Sequence, residues 1–326
     1  MQKQSVFWKK ITGPEFWLSY SAYFVLLIGF IVMSLVNQYF LSWDNITNII
    51  SSASPIILVG IGVGMCILIR GTDLSVGSII YLSSVVAWKV TQTAPDTPLI
   101  LLILISMLVG LAVGLINGFA VAILKIYSLL PTLAMLYIAR GTGLWIAGVS
   151  QGAVVKSYSV ILNAKLFGIP YYVFIVLAMA VIAQVFLAKT KLGRHIYATG
   201  DNEKMAKEKG VRVFGIKVFV FSVSGMMAGL AAVLSTAMSN NVSYAMGQGF
   251  EFRVITACVL GGISLNGGRG TVFPGVVIGS LIWRLLYNSL VLLKANQYSY
   301  DVVAAIAIFL FVLLDTIKNR SENSNR

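Results

Sequence analysis

LILLILISMLVGLAVGLINGFAVAIL, residues 99–124, carries no charged side chain from its first leucine to its last. A hydrocarbon layer about 30 Å thick is crossed by about 20 helical residues, so this stretch has the length and composition of a membrane span. Unpaired backbone groups are costly in lipid, so a spanning segment closes its hydrogen bonds as a helix or within a closed barrel. A barrel strand would alternate apolar and polar residues. Here the apolar residues run on without alternation, which leaves the helix.

Outward from this stretch, comparable runs occur at Trp17–Val36, Ala53–Ile69, Val76–Val90, Leu129–Val149, Tyr171–Ala188, Val213–Ala237, Val254–Leu265, Val272–Leu293 and Val302–Leu314. Together they make about ten spans of bilayer length. The expected fold is all-α, a polytopic transmembrane bundle forming one domain over residues 1–326. The third, eighth and tenth runs are short, which suits broken or re-entrant helices. Of the 326 residues 58% are hydrophobic and 11% charged, against roughly 45–50% and about 25% in soluble domains. Trp17–Val36 is too long for the apolar core of a signal peptide and reads as an uncleaved first span.

The formal charge of +13 does not point to nucleic acid, because the basic residues lie in short patches between apolar runs. With ten spans and the N-terminus inside, the inner segments hold most of the 24 Lys and Arg, while the outer ones hold Lys89, Arg140, Lys156, Lys165, Arg253 and Lys294. By the positive-inside rule, segment 1–16, loop 189–217 and tail 317–326 are cytoplasmic. No hydrophilic stretch is long enough for a soluble domain.

Chemistry is scarce. No G-x-x-x-x-G-K-[ST] phosphate loop occurs, and no nucleophile-and-base set stands out. His195 is the single histidine, and Cys66 and Cys258 sit inside apolar runs as packing residues. The expectation is no catalysis, no metal site and no cofactor bound by this chain. An enzyme on lipid-linked substrates would want clustered Asp, Glu or His. An ion-coupled carrier would want an embedded carboxylate relay, and Asp73 is the one interior candidate.

Loop 189–217 contains TKLGRHIYATGDNEKMAKEKGV from Thr190. It resembles the coupling loop of the ribose-type branch of ABC importer permeases, T-x-x-G-R-x-I-Y-A-x-G-x-N-x-x-A-A-x-x-x-G-I. Thr190, Gly193, Arg194, Ile196, Tyr197, Ala198, Gly200, Asn202, Ala206 and Gly210 match, and Met205 replaces the first alanine of the pair. Glu203, Ala206 and Gly210 also fit the broader E-x-x-A-x-x-x-G spacing. A short helix with a small residue, ended by glycine, can lie in a groove of a soluble partner. A basic loop held against anionic headgroups of membrane lipid is the plainer alternative.

IRGTDLSVGS, residues 69–78, resembles the family's G-G-I-D-L-S-V-G-S through Asp73, Leu74, Ser75, Val76, Gly77 and Ser78, with Arg70 in place of a glycine. Asp73 either pairs with Arg70 across one helical turn or faces a gate or pathway. LGGISLNGGRGTVFPG, residues 260–275, resembles I-G-G-T-S-L-x-G-G-x-G-T through Gly261, Gly262, Ser264, Leu265, Gly267, Gly268, Gly270 and Thr271, with Asn266 between them. So many glycines break a helix, as a tight turn or as a close approach of backbones. Gly71–Gly77 aligns weakly with Gly262–Gly268, and Gly114, Asn117 and Gly118 match the family's G-x-x-N-G.

The resemblance implies a permease subunit of an ATP-driven importer in the bacterial inner membrane, passing a small neutral solute, a monosaccharide above all. It implies as partners an ABC ATPase carrying ATP and Mg²⁺, a periplasmic or lipoprotein sugar-binding protein, and a second permease copy as homodimer or heterodimer. An ion-coupled secondary transporter is the other reading.

Overall fold

In the computed structural model of the protein, the described residues are 21–148, 152–153, 158–296 and isolated positions between 302 and 309. Segment 1–16, tail 317–326 and most of the run Val302–Leu314 lie outside them. The helices are α1 (Ser21–Val36), α2 (Trp43–Leu68), α3 (Val76–Thr93), α4 (Leu99–Leu124), α5 (Leu129–Ala147), α6 (Ser159–Asn163), α7 (Tyr171–Lys189), α8 (Lys191–Asp201), α9 (Glu203–Glu208), α10 (Val213–Ser239), α11 (Phe250–Leu260) and α12 (Val277–Leu292), the last entered through a kinked turn at Val272–Val276. Among the described residues, six helices are long and apolar enough to cross a membrane: α2, α4, α5, α7, α10 and α12 with its kinked turn; of the ten runs expected, the first and the last lie partly or mostly outside those residues.

Two of these form the centre. Every residue of α2 from Ala53 to Leu68 is buried, and α10 is buried along most of its length. The flanking helices α4, α5 and α7 turn large apolar side chains outward, Leu108, Tyr137 and Ile182 among them. Lipid offers no hydrophobic drive between helices, so association relies on close van der Waals packing at small residues. The most extensive pairing, α4 on α10, obeys this rule: a Cβ at Gly110 or Gly114 would run into the carbonyl of Gly225 or Phe221.

The third and eighth runs are helices that begin inside the bundle. After α2 the chain passes through the non-helical stretch 70–75, where Asp73 is bonded to Ser224 midway along α10, before α3 starts. After α10 it turns back through residues 240–249 to start α11, and Gly247 there rests against Gly77 at the start of α3. The two starts therefore meet inside the bundle.

One end of the bundle carries α8 and α9 with exposed Lys191, Arg194, Lys204 and Lys207. The opposite end is closed by two short antiparallel sheets, Gly152–Ala153 with Asn241–Val242 and the hairpin Lys165–Leu166 with Ile169–Pro170. Phe167 and Gly168 turn that hairpin at φ 51° and 82°, the double positive φ that a two-residue turn of this hand needs.

Candidate functional site

Loop 189–217 folds as α8 and α9 because its polar residues cap both. The Thr190 hydroxyl accepts from Gly193 N–H at 3.0 Å and donates to Phe186 O at 2.7 Å, closing the turn out of α7. Asn202 Oδ1 accepts from Met205 N–H at 3.0 Å and starts α9, as N-cap residues do. The chain leaves α9 at Gly210, φ 81°, with Val211 N–H donating to Ala206 O at 3.0 Å. That is a glycine-ended helix whose closing apolar contact, Ala206 with Val211, is buried.

Glu203 opens α9 and accepts from Lys207 Nζ at 2.6 Å and Lys217 Nζ at 3.0 Å. Burial pushes its carboxyl up, but these two ammonium groups outweigh burial and hold it below the usual glutamate value. Gly193, Gly200 and Ala206 are buried, Thr190 and Tyr197 half-buried, and Arg194, Asn202 and Gly210 exposed beside Leu192 and Met205. The small residue Ala206 thus faces inward. The outer face of the loop is basic with two apolar side chains.

The end of α8 is where the three sequence motifs meet. Arg70 Nε donates to Gly200 O at 2.6 Å and its Nη2 to Asp201 O at 2.7 Å. The expected pair between Arg70 and Asp73 does not form, because helical spacing does not apply here. Arg70 stands at φ 60° and the chain beyond it is non-helical to Ser75, so the guanidinium points to α8 while Asp73 turns inward. Gly268 N–H donates to Leu68 O at 2.9 Å, and a Cβ at Gly200 would collide with that same carbonyl. Tyr197 OH donates to Gly270 O at 2.9 Å, and Gln184 Oε1 accepts from Val272 N–H at 2.8 Å.

Within the glycine-rich segment, Ser264 N–H donates to Arg269 O at 3.1 Å and Gly267 N–H to Ser264 O at 3.0 Å. The Ser264 hydroxyl accepts from Asn266 N–H at 3.3 Å, and Asn266 and Gly262 are exposed. Gly262, Gly267 and Gly268 all stand at positive φ, and Gly261 packs on Gly275. The segment is a compact turn and also a close approach, since it seats against α2 and α8.

Further in, Asp73 is fully buried. Its Oδ1 accepts from Ser75 N–H at 3.0 Å and Ser75 Oγ at 2.6 Å, and its Oδ2 from Ser224 Oγ at 2.7 Å. Ser75 Oγ in turn accepts from Asn117 Nδ2 at 2.8 Å. Thr72 N–H donates to Ser128 Oγ at 2.7 Å, and Thr132 Oγ1 donates to Thr72 O at 3.2 Å. Non-helical backbone at membrane depth is tolerated where protein groups satisfy it; hydroxyls of Thr132 in α5 and of Ser128 before it do so at Thr72, while Ser224 of α10 holds the Asp73 carboxylate. Asp73, Ser75 and Asn117 are therefore brought together, 69–78 meeting G-x-x-N-G. Sequence reading does not single out Ser224 and Ser128, since isolated hydroxyls carry no pattern.

Gly77, by contrast, belongs to the second break. A Cβ there would meet Gly247 O and Glu251 Oε2. Arg140 Nη1 donates to Met246 O at 2.7 Å and Tyr244 O at 3.1 Å, and its guanidinium lies 4.9 Å from the Tyr81 ring centre and 5.9 Å from that of Tyr244. Sequence reading places Arg140 in an outer segment and misses Glu251.

Cys66 and Cys258 are free and buried, as packing residues are. No group of three or more His, Cys, Asp or Glu able to hold a metal occurs among the described residues.

Known proteins resemble the chain along most of its length. The family described as "Branched-chain amino acid transport system / permease component" matches residues 45–313. The ribose import permease of Haemophilus influenzae is 34% identical, with 92% of this chain and 94% of the relative aligned. The D-allose transport system permease of Escherichia coli is 36% identical, with 93% of each covered. The autoinducer 2 import permease of Photorhabdus luminescens is 35% identical over 94% of this chain and 93% of its own. No solved structure matches the chain.

Proposed function

Because the chain belongs to the branched-chain amino acid transport system permease family, we propose that the solute it passes is a small neutral sugar, a monosaccharide such as ribose or allose. The chain is a permease subunit of an ABC importer, a multi-pass protein of the bacterial inner membrane, and performs no covalent chemistry of its own. Membership implies an ATPase and a solute-binding protein as partners. In this reading ATP and Mg²⁺ bind the ATPase, α8 and α9 dock on it from the cytoplasmic side, both termini are cytoplasmic, and two identical permease chains enclose the pathway.

The observation that supports it most is the build of α8 and α9. Their buried residues seat the loop on the bundle at the point where the other two motifs converge, which leaves an exposed face with Leu192, Arg194 and Met205 free for a partner. The sugar assignment draws on two relatives named for aldoses. An ion-coupled carrier finds less support, since the oxygens of Asp73 are already engaged by Ser75 and Ser224.

Vesicle uptake with the ATPase and binding protein tests the reading. Labelled ribose or allose should enter only with ATP on the ATPase side and binding protein on the other, unaffected by ionophores. Uptake driven by an ion gradient without ATP would overturn the importer mechanism, and preference for leucine would overturn the sugar.

A further inference from the structure

We infer that Arg70 is a positioning residue that passes movement of α8 to the break between α2 and α3; this rests on the reading of α8–α9 as the ATPase dock. The last carbonyls of a helix have no partner within it, and a cation there is favoured by the helix dipole. Arg70 takes two of them at the end of α8, Gly200 O at 2.6 Å and Asp201 O at 2.7 Å, from two different nitrogens. A guanidinium can span two acceptors as a rigid fork, where an ammonium acts as a single point.

The chain just beyond Arg70 has little slack. Thr72 is held at both backbone groups by Ser128 and Thr132, and Asp73 is fastened to Ser75 and to Ser224 midway along α10. Displacing α8 therefore pulls on a short, hydrogen-bonded segment that ends at the start of α3. The backbone supports the same conclusion. Arg70 stands at φ 60°, a conformation glycine adopts freely and arginine does not, so a side chain is kept where its absence would ease the backbone. Gly267 lies against Arg70 Cγ, which adds the glycine-rich turn to the same node.

A cap that only stabilised α8 would give a different result from a transmitting one, and Arg70→Gly separates them because it relaxes the backbone while removing the fork. In the full complex with ATPase and binding protein, Arg70→Gly should keep the ATPase bound, with a small fall in melting temperature because relief at φ 60° offsets only part of the two lost bonds. Sugar uptake should fall while ATP hydrolysis continues, raising ATP hydrolysed per sugar by about tenfold, a usual size for coupling between sites. Arg70→Lys should fall between the two. An unchanged ratio in both variants overturns the inference, and so does loss of the ATPase in both, since Arg70 would then build the docking surface. Glu203→Lys runs alongside: its loss of the ATPase supports the dock independently, whereas its retention of the ATPase overturns the docking reading itself.

Discussion

The break at 69–75 and the break at 240–249 both interrupt the bundle, and each has its backbone satisfied by different means. The first is buried except at Arg70 and, in part, Thr72, and is held by side-chain hydroxyls from outside itself, with Asp73 at its centre. The second is held by backbone: its own turns, such as Met246 N–H to Ser243 O and Gln248 N–H to Ala245 O, and the pairing of Asn241–Val242 with Gly152–Ala153, with Arg140 as a strap and Tyr244 nearly half exposed. The two meet where Gly77 touches Gly247. A segment tied to the interior by buried side chains can transmit a displacement, while one held by backbone pairing at the rim can move with that rim. The difference suits a first break that reports on the basic end and a second that yields at the opposite one.

The largest effect should come from Asp73→Ala. It strands two hydroxyls and one backbone N–H in a buried site, at about 1–3 kcal/mol each when left unpaired, so the folded yield in detergent should collapse. Glu251→Gln, at the second break, should leave that yield nearly intact. Equal losses would remove the contrast between the breaks. Next is Gly247→Ala, which puts a methyl against Gly77 at φ 74° and should cost about 1–3 kcal/mol by overpacking, read as a lower melting temperature.

Arg140→Gln should loosen only the second break, by roughly 1–2 kcal/mol for the lost charge-assisted bonds, with faster amide exchange at 240–249 and none of it at 69–75. The smallest expected effect is that of salt on the coupling between Arg70 and Asp73. A double-mutant cycle with Arg70→Gln and Asp73→Asn should give a coupling that added salt leaves unchanged, as for residues that form no ion pair. A coupling that salt weakens would restore the ion pair.

Much of the fold is legible in the sequence. The apolar runs follow from what lipid demands of a backbone, and the short third and eighth runs mark α3 and α11. The loop motif is readable because capping needs particular residues, Thr190, Asn202 and Gly210. The sequence pairs Arg70 with Asp73 wrongly because i, i+3 spacing presumes a helix, and the helix ends at Leu68. Ser224 is invisible because one serine in an apolar helix looks like packing until its partner is known. Residue types announce local structure far better than they announce which distant part of the chain satisfies them.

Cross-linking tests the central claim most directly. Cys66 and Cys258 are fully buried, so a cysteine introduced on the surface reports without removing them. With Met205→Cys in α9 and Tyr244→Cys at the second break, a bifunctional thiol reagent should join the permease to the ATPase through position 205 alone. A cross-link through position 244, or none at 205 in an active complex, would contradict the account.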